Sequence, residues 1–245
     1  MTRARRDLVA EVVLLWLGTL LLIRGVVTLV EGAGLWEVLL ALVPVLFMYA
    51  PVAVLRWRGE DADALPLALP AFSDRGPWLQ AAKLAGVVIL AITVPYLIGY
   101  HLYQSTPFTL DLWGIRVVKP AFHFQGTLPD SLLKLVGYHL FFVAVPEELF
   151  YRGYMQTRLD QVFPPRWRLF GARVGPGLLL TSLLFAFGHS LVVFQWWHFA
   201  IFFPSLLFGW ARARTGEVVA GSMLHAWANI SVATLDALYG VSGGM

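Results

Sequence analysis

Seven long apolar stretches constrain the fold of this chain more than any other feature of its sequence. They lie at the following residues: 8–29, 35–55, 79–100, 131–157, 176–192, 194–211 and 217–239. A helix needs roughly 20 mainly apolar residues to cross the hydrocarbon core of a bilayer. The stretches therefore predict an all-α, polytopic membrane helix bundle with about seven transmembrane helices. Residues 1–245 would then form a single transmembrane domain, with little chain left for a soluble one.

The composition supports a membrane protein and excludes several kinds of chemistry. Hydrophobic residues make up 58% of the chain and charged residues only 13%, with a mean hydropathy of +0.70. Soluble domains carry roughly 25% charged residues. The chain has no cysteine, which excludes disulfides, thiol nucleophiles and cysteine-bound metals. The basic residues lie in connections between apolar stretches and do not form one face, so no nucleic-acid partner is expected.

The distribution of basic residues predicts an orientation in the membrane. Cytoplasmic connections carry an excess of arginine and lysine. One set of connections holds most of them: Arg3, Arg5, Arg6, Arg56, Arg58, Arg75, Arg158, Arg166, Arg168, Arg173, Arg212 and Arg214. The other set holds mainly Arg116, Lys119 and Lys134. We therefore expect a cytoplasmic N-terminus and an outside C-terminus. Arginine also greatly outnumbers lysine, which favours a GC-rich bacterial genome and hence the bacterial inner membrane.

Two connections are long enough to interpret. Residues 56–78 are charged and contain Pro66 and Pro70, which predicts a cytoplasmic connector without a long helix. Residues 101–130 are rich in aromatic residues and proline but lack a long apolar run. This composition suits a surface or re-entrant element at the outer membrane interface.

Three of the apolar stretches contain polar residues that are costly to place in a bilayer. The stretch 131–157 contains Glu147, Glu148 and Arg152, and 176–192 contains His189. The third stretch, 217–239, contains the pair His225 and Asn229. Ionisable groups inside a membrane mark a functional site unless a structural role explains them. The bundle interior is where such groups can find partners.

The spacing of these residues predicts how they lie on their helices. Glu148 and Arg152 are four residues apart, so they share a helix face and can form an ion pair. Glu147 is rotated by about 100° from Glu148 and can point elsewhere. Pro146 removes a backbone donor just before the two carboxylates. His225 and Asn229 are also four residues apart and lie on one face.

These residue types can together support attack of water on an amide carbonyl. Glu147 can act as a general base toward water, and His189 can hold or polarise the same water. His225 and Asn229 can donate hydrogen bonds to one developing oxyanion. Glu148 and Arg152 would support this arrangement as a neighbouring ion pair.

Three ordered motifs carry a resemblance to a known family. They are Glu147-Glu148-x-x-x-Arg152, Phe185-x-x-x-His189 and His225-x-x-x-Asn229. The chain resembles the CPBP family, which includes the CAAX prenyl endopeptidases and bacterial Abi proteins, over residues 131–240.

The resemblance implies a glutamate-dependent intramembrane endopeptidase that needs no cofactor or metal. Glu147 would be the base, His189 would assist it, and His225 with Asn229 would stabilise the oxyanion. The partners implied are the lipid bilayer and a membrane-associated protein or peptide substrate. That substrate is a prenylated C-terminus, a precursor peptide or a C-terminal sorting tail.

Several alternatives remain open at this point. Glu147, His189 and His225 are acceptable zinc ligands, so a zinc-dependent membrane protease is one of them. The chain has no His-Glu-x-x-His helix, which speaks against it. Ionisable groups inside a membrane also occur in transporters, although no internal repeat is visible here. A non-catalytic binding or immunity protein is the last alternative. Independently of the function, Glu148 and Arg152 can be a purely structural buried pair.

Overall fold

A computed structural model describes residues 3–30, 41–112 and 115–241, and within these residues the chain forms seven helices. The first three are α1 (Arg3–Val30), α2 (Leu42–Trp57) and α3 (Arg75–Ser105). Asp74 begins α3 by accepting a hydrogen bond from the backbone N–H of Gly76 at 3.1 Å. The predicted stretches 8–29 and 79–100 thus correspond to longer helices. The start of the predicted stretch 35–55 lies outside the described residues.

The fourth helix, α4, spans residues 132–162 and changes its winding four times. It consists of Leu132–Gly137 (α), Tyr138–Ala144 (π), Val145–Glu148 (α), Leu149–Gln156 (π) and Thr157–Val162 (α). Pro146 has no N–H to donate, which is consistent with the loosened ladder predicted there. π-Helical segments in proteins often occur at functional sites. Glu147 and Glu148 lie in the short α segment between the two π segments.

The last three helices are α5 (Pro176–Val192), α6 (Phe202–Thr215) and α7 (Val219–Leu238). A 3₁₀ segment, Trp196–Ile201, precedes α6, so the predicted stretch 194–211 is only partly α-helical. Gly216 ends α6 in the left-handed conformation with a φ of 83°, which glycine adopts without a steric cost.

The described part of the chain also contains two short hairpins, whose strands the sequence did not predict. Strands β1 (Phe108–Leu112) and β2 (Ile115–Lys119) pair antiparallel within the predicted surface element 101–130. Strands β3 (Trp167–Leu169) and β4 (Ala172–Val174) pair antiparallel between α4 and α5. They are short additions to a helical architecture, so the all-α prediction is confirmed.

Helix α4 lies at the centre of the bundle and contacts α1, α2, α5 and α7. An aromatic core joins α1, α2, α4 and α5, and it contains Trp16, Phe47, Phe150, Tyr151 and Phe185. Small residues allow a second close contact, in which Ala81 and Ala85 of α3 pack near Ala220 and Leu224 of α7. Glu148 and Arg152 of α4 are fully buried inside this bundle.

Helix length alone supports fewer membrane spans than the sequence predicted. Within the described residues, only α1 and α3 are long and apolar enough to cross a bilayer, while α2 and α5 are apolar but shorter. Helix α3 also exposes large apolar side chains, with Val87 at 67% and Leu90 at 80% exposure, which suits contact with lipid. Helices α2, α5 and α6 have 16, 17 and 14 residues, and α4 contains two π segments. Seven spans therefore remain a prediction.

Candidate active site

The buried polar residues of α4 meet residues of three other helices in one cluster. Glu147, Glu148 and Arg152 come from α4, and His225 comes from α7. Helices α5 and α6 contribute the remaining members: Phe185, Ser205 and Phe208. The convergence of α4 and α7 brings the first and third sequence motifs together.

Glu148 and Arg152 form the ion pair that their spacing predicts. Nη1 of Arg152 lies 2.9 Å from Oε1 of Glu148, and both side chains have no exposed surface. Nη2 of Arg152 donates to the backbone oxygen of Ser205 at 2.9 Å and to its hydroxyl at 2.7 Å. The guanidinium also lies 4.6 Å from the centre of the Phe185 ring. A buried ion pair needs such additional partners, because both charges have lost their hydration.

His225 is the second partner of Glu148. Its Nδ1 lies 3.0 Å from Oε1 of Glu148. The imidazole stacks on the Phe208 ring at 4.8 Å and meets the edge of the Phe185 ring at 5.5 Å. Because the carboxylate accepts this hydrogen bond, Nδ1 carries a hydrogen, and Nε2 is the remaining functional atom of the ring. Glu148 and the two phenylalanines thus fix the orientation of His225.

Glu147 differs from its neighbour because its carboxylate forms no hydrogen bond with another described residue. Its Oε2 atom is buried and has no hydrogen-bond partner within the described part of the chain. This atom lies 3.9 Å from Nε2 of His225, beyond hydrogen-bond distance. Glu147 is therefore available for chemistry beside an oriented imidazole, while Glu148 is held by two partners.

His189 contacts the same cluster through Phe185. Its Nδ1 lies 2.8 Å from the backbone oxygen of Phe185, so Nδ1–H donates there and Nε2 is left available. The His189 ring also lies 4.7 Å from the Phe185 ring, which His225 contacts too. Among the described contacts, Glu147 approaches His225 and not His189. A water shared by Glu147 and His189 stays a prediction.

Asn229 follows His225 by one turn of α7 and is half-buried. Its side chain makes no hydrogen bond to another residue among those described. The amide is therefore not committed to holding the fold together, in contrast to Nδ1 of His225. A role as an oxyanion donor remains a prediction.

Some residues of the cluster were not singled out from the sequence. Ser205 holds Arg152, Phe208 stacks on His225, and Gly221 lies against Glu148. Ser205 and Gly221 are a polar and a small residue inside apolar stretches, whereas Phe208 gives no such signal in the sequence. His139 is 5% exposed, and neither of its ring nitrogens has a hydrogen-bond partner among the described residues. It lies in the π segment Tyr138–Ala144, which packs on α7.

The zinc alternative requires three ligands around one point. Across residues 3–30, 41–112 and 115–241, no group of three histidine or carboxylate side chains is arranged to hold a metal ion. Glu147 and His225 are near one another, but His189 contacts neither of them among the described residues.

Comparison with known proteins agrees with the resemblance carried by the three motifs. Residues 129–231 match the model of the Rce1-like family, described as type II CAAX prenyl endopeptidases. This segment contains all the predicted site residues and begins just before α4, so α1 to α3 lie outside it. No curated protein and no solved structure matches the chain.

Proposed function

We propose that this protein is an intramembrane endopeptidase in which Glu147 activates the attacking water. The proposal starts from the membership of residues 129–231 in the CPBP family of CAAX-type membrane proteases. The observation that carries the proposal is a difference in hydrogen bonding between two adjacent carboxylates. Oε1 of Glu148 is bound by Arg152 and His225, although its Oε2 has no hydrogen-bond partner, whereas Glu147 forms no hydrogen bond with any described residue and approaches Nε2 of His225 only to 3.9 Å. One carboxylate builds the site and the other is free to react.

In the proposed reaction, Glu147 removes a proton from water as the water oxygen attacks the peptide carbonyl. The tetrahedral intermediate then collapses, and the protonated Glu147 returns the proton to the leaving nitrogen. A general base of this kind contributes about 10²–10⁴-fold to the rate of a reaction. His189 assists through Nε2, because its Nδ1–H is bonded to the Phe185 carbonyl.

The oxyanion of the intermediate is assigned to His225 and Asn229. His225 can reach the oxyanion only through Nε2, since Nδ1 is bonded to Glu148. This role requires a proton on Nε2 when the intermediate forms. The Asn229 amide supplies a donor that needs no change in protonation. Fixed donors aimed at developing charge are among the largest contributions to enzyme catalysis.

The substrate is a membrane-associated peptide or protein, in keeping with the CAAX-type family. Because the site lies between helices of an apolar bundle, the scissile bond must reach it from the bilayer or its interface. The arginine-rich composition favours a bacterial inner-membrane enzyme. A lipidated C-terminus, a precursor peptide and a C-terminal sorting tail all meet these requirements.

The test uses the full chain, purified and placed in lipid nanodiscs, with a pool of peptides that carry apolar or prenylated C-terminal segments. Mass spectrometry identifies new C-termini, and Glu147→Gln is the matched inactive variant. We expect specific cleavage by the wild type and a loss of at least about 10²-fold in Glu147→Gln, which should fold and insert normally. Cleavage by Glu147→Gln at a rate near that of the wild type would refute the mechanism.

A second arm of the experiment separates the glutamate mechanism from zinc catalysis. The wild-type protein is treated with a strong chelator and then supplied with zinc. Unchanged cleavage supports the glutamate mechanism, whereas loss that zinc restores supports a metalloprotease. Solute flux in proteoliposomes that persists in Glu147→Ala, without any cleavage, would favour a transporter.

A further inference from the structure

The hairpin formed by β3 and β4 has a turn that is unusual for its residues. Phe170 and Gly171 occupy the turn with positive φ angles of 44° and 81°. Turns with two positive φ angles favour Asn-Gly or Asp-Gly, because a bulky side chain is unfavourable in this conformation. The Phe170 side chain is nevertheless 83% exposed. A strained and exposed aromatic residue is not explained by packing and indicates a function for the tip.

The hairpin is held rigidly on the bundle. Ala172 and Val174 are buried against Leu178 of α5, and Nε1 of Trp210 in α6 donates to the backbone oxygen of Leu169 at 2.9 Å. The turn is thus presented by a fixed support. Its exposed residues keep a defined position relative to α5 and α6.

Four exposed arginines surround this hairpin: Arg166, Arg168, Arg173 and Arg214. None of the four forms an ion pair with another described residue. Arg168 and Arg173 lie directly opposite each other in the two strands, an arrangement that is unfavourable for like charges. Arg214 lies beside the turn, where its Nε would be 2.8 Å from a Cβ placed on Gly171. An anion bound here would offset the repulsion between these side chains.

An apolar groove adjoins the arginines. It has a volume of about 340 Å³ and is lined mainly by these residues: Trp167, Leu169, Leu178, Leu179, Leu206 and Trp210. On α5, which begins at the hairpin, Leu179, Leu180 and Leu183 expose 42%, 38% and 54% of their surface. The arginines therefore lie at the end of an apolar surface, as expected for residues at the boundary between headgroups and acyl chains.

We propose that this hairpin binds an anionic phospholipid, with its phosphate held by Arg168 and Arg173, a chain in the groove and Phe170 inserted among neighbouring lipids. Arginine binds phosphate well because its planar guanidinium can donate two parallel hydrogen bonds. The combination of arginines without an ion-pair partner in the described structure and an apolar groove matches the two parts of a phospholipid. The predicted orientation places the hairpin at the cytoplasmic leaflet, where anionic lipids attract basic segments.

The test measures lipid retention and thermal stability of the full chain in a neutral detergent. Phosphatidylglycerol and phosphatidylcholine with identical acyl chains are added separately, and retained lipid is counted by native mass spectrometry. We expect preferential retention of phosphatidylglycerol and a rise in Tm that grows with its concentration. The double variant Arg168→Gln/Arg173→Gln should bind phosphatidylglycerol at least tenfold more weakly. The control Arg3→Gln/Arg6→Gln removes the same charge elsewhere and should retain wild-type binding.

Phe170→Asn gives a second, independent readout. Asparagine suits the turn, so this variant should be at least as stable as the wild type without lipid yet gain less Tm from phosphatidylglycerol. Equal retention of both lipids, or an equal loss of binding in the control variant, would overturn the proposal. An equal Tm rise with inorganic phosphate alone would also overturn it, because the groove would then play no part. Glu147→Gln should bind phosphatidylglycerol normally, so this result does not depend on the proposed catalysis.

Discussion

Gly221 lies so close to Glu148 that a Cβ atom placed on Gly221 would be 2.7 Å from Oε2 of Glu148. The same Cβ atom would be 3.2 Å from the backbone oxygen of Phe208. Gly221 is four residues before His225, so the two residues lie on the same face of α7. The lack of a side chain at position 221 therefore allows α7 to approach α4 until His225 meets Glu148.

We expect Gly221→Ala to displace either the Glu148 carboxylate or α7. Inserting one methyl group into a packed site costs about 1–3 kcal/mol. Cleavage should fall by at least about tenfold, because a shift of His225 changes the geometry of the reacting groups. The measurements are cleavage in nanodiscs and Tm in detergent.

Gly86→Ala is the matched control. Gly86 lies inside α3, and a Cβ there meets no atom within 4 Å. This change should leave cleavage intact and raise helix stability by about 0.5–1 kcal/mol. If Gly221→Ala is as harmless as Gly86→Ala, the close approach of α7 to Glu148 has no functional importance.

Arg152→Ala tests the buried ion pair. It removes the cation that lies 2.9 Å from Glu148 and leaves that carboxylate with His225 as its remaining partner among the described residues. Breaking a buried pair on one side costs about 3–5 kcal/mol, so Tm and folded yield should fall together with activity. Arg152→Lys keeps the charge but not the two hydrogen bonds to Ser205, and it should recover part of the stability. Normal stability with no cleavage in Arg152→Ala would instead indicate direct participation of Arg152 in catalysis.

Sequence reasoning predicted those parts of the site that lie within one helix. The pairing of Glu148 with Arg152 follows from their spacing, and the structure contains it. The contact of His225 with Glu148 joins residues 77 positions apart, and the contact of Arg152 with Ser205 spans 53. No periodicity within a single sequence can determine such contacts, because they depend on how helices pack. The motifs did predict that their residues would share one interior.

The sequence likewise predicted some elements of the fold and not others. Apolar runs predicted the helices well, and 176–192 has the same bounds as α5. They did not predict the hairpins, whose strands have three to five residues each and resemble loops in composition. They also did not reveal the π segments of α4, since hydropathy does not report which carbonyl each backbone N–H contacts. These segments nevertheless flank Glu147 and Glu148.

The orientation in the membrane is tested with reporter fusions. The placement of arginines predicts a cytoplasmic reporter signal after residue 60 and after residue 214, and an outside signal at the C-terminus. Two reporters with opposite requirements, one active in the cytoplasm and one outside, provide the control for each position. A cytoplasmic C-terminus would mean that the number of spans is even, and the predicted stretch 194–211, which begins with a 3₁₀ segment, would be the first to reconsider.

A pH effect is expected at the connector 56–78, which the sequence predicts to be cytoplasmic. Burial tends to raise the pKa of Glu60, but hydrogen bonds from Arg158 and Arg58 outweigh it and hold the pKa below its ordinary value of 4.5. A lowered carboxylate pKa stabilises the folded state above pH 4.5, and this contribution is lost as pH falls through the folded-state pKa. Glu60→Gln should thus lower Tm at neutral pH, and the difference from wild type should shrink below about pH 4.5.

The effect should be small, about 0.2–1 kcal/mol, because the Glu60 side chain is 35% exposed. Asp63→Asn is the control, since Asp63 is an exposed acid of the same connector without an ion pair among the described residues. It should leave Tm unchanged at every pH. A Glu60→Gln deficit that persists undiminished at acid pH would show that the carboxylate charge is not what stabilises the connector.

The contacts of the two proposed oxyanion donors on α7 predict different effects of their removal on stability. Asn229 has no side-chain hydrogen bond within the described chain, so Asn229→Ala should leave Tm nearly unchanged. It should reduce turnover by about 10²–10³-fold with little change in substrate affinity, as for removal of one oxyanion donor. His225→Ala should also reduce turnover, but it removes a partner of Glu148 and the ring that stacks on Phe208, so Tm should fall as well.

Single-turnover cleavage and a separate binding measurement in nanodiscs distinguish these effects. The double variant should lose less than the product of the two single losses, because both groups act on one oxygen. If Asn229→Ala weakens substrate binding and leaves the cleavage step intact, Asn229 positions the substrate. The oxyanion would then depend on Nε2 of His225 alone, since Nδ1 of that ring is committed to Glu148.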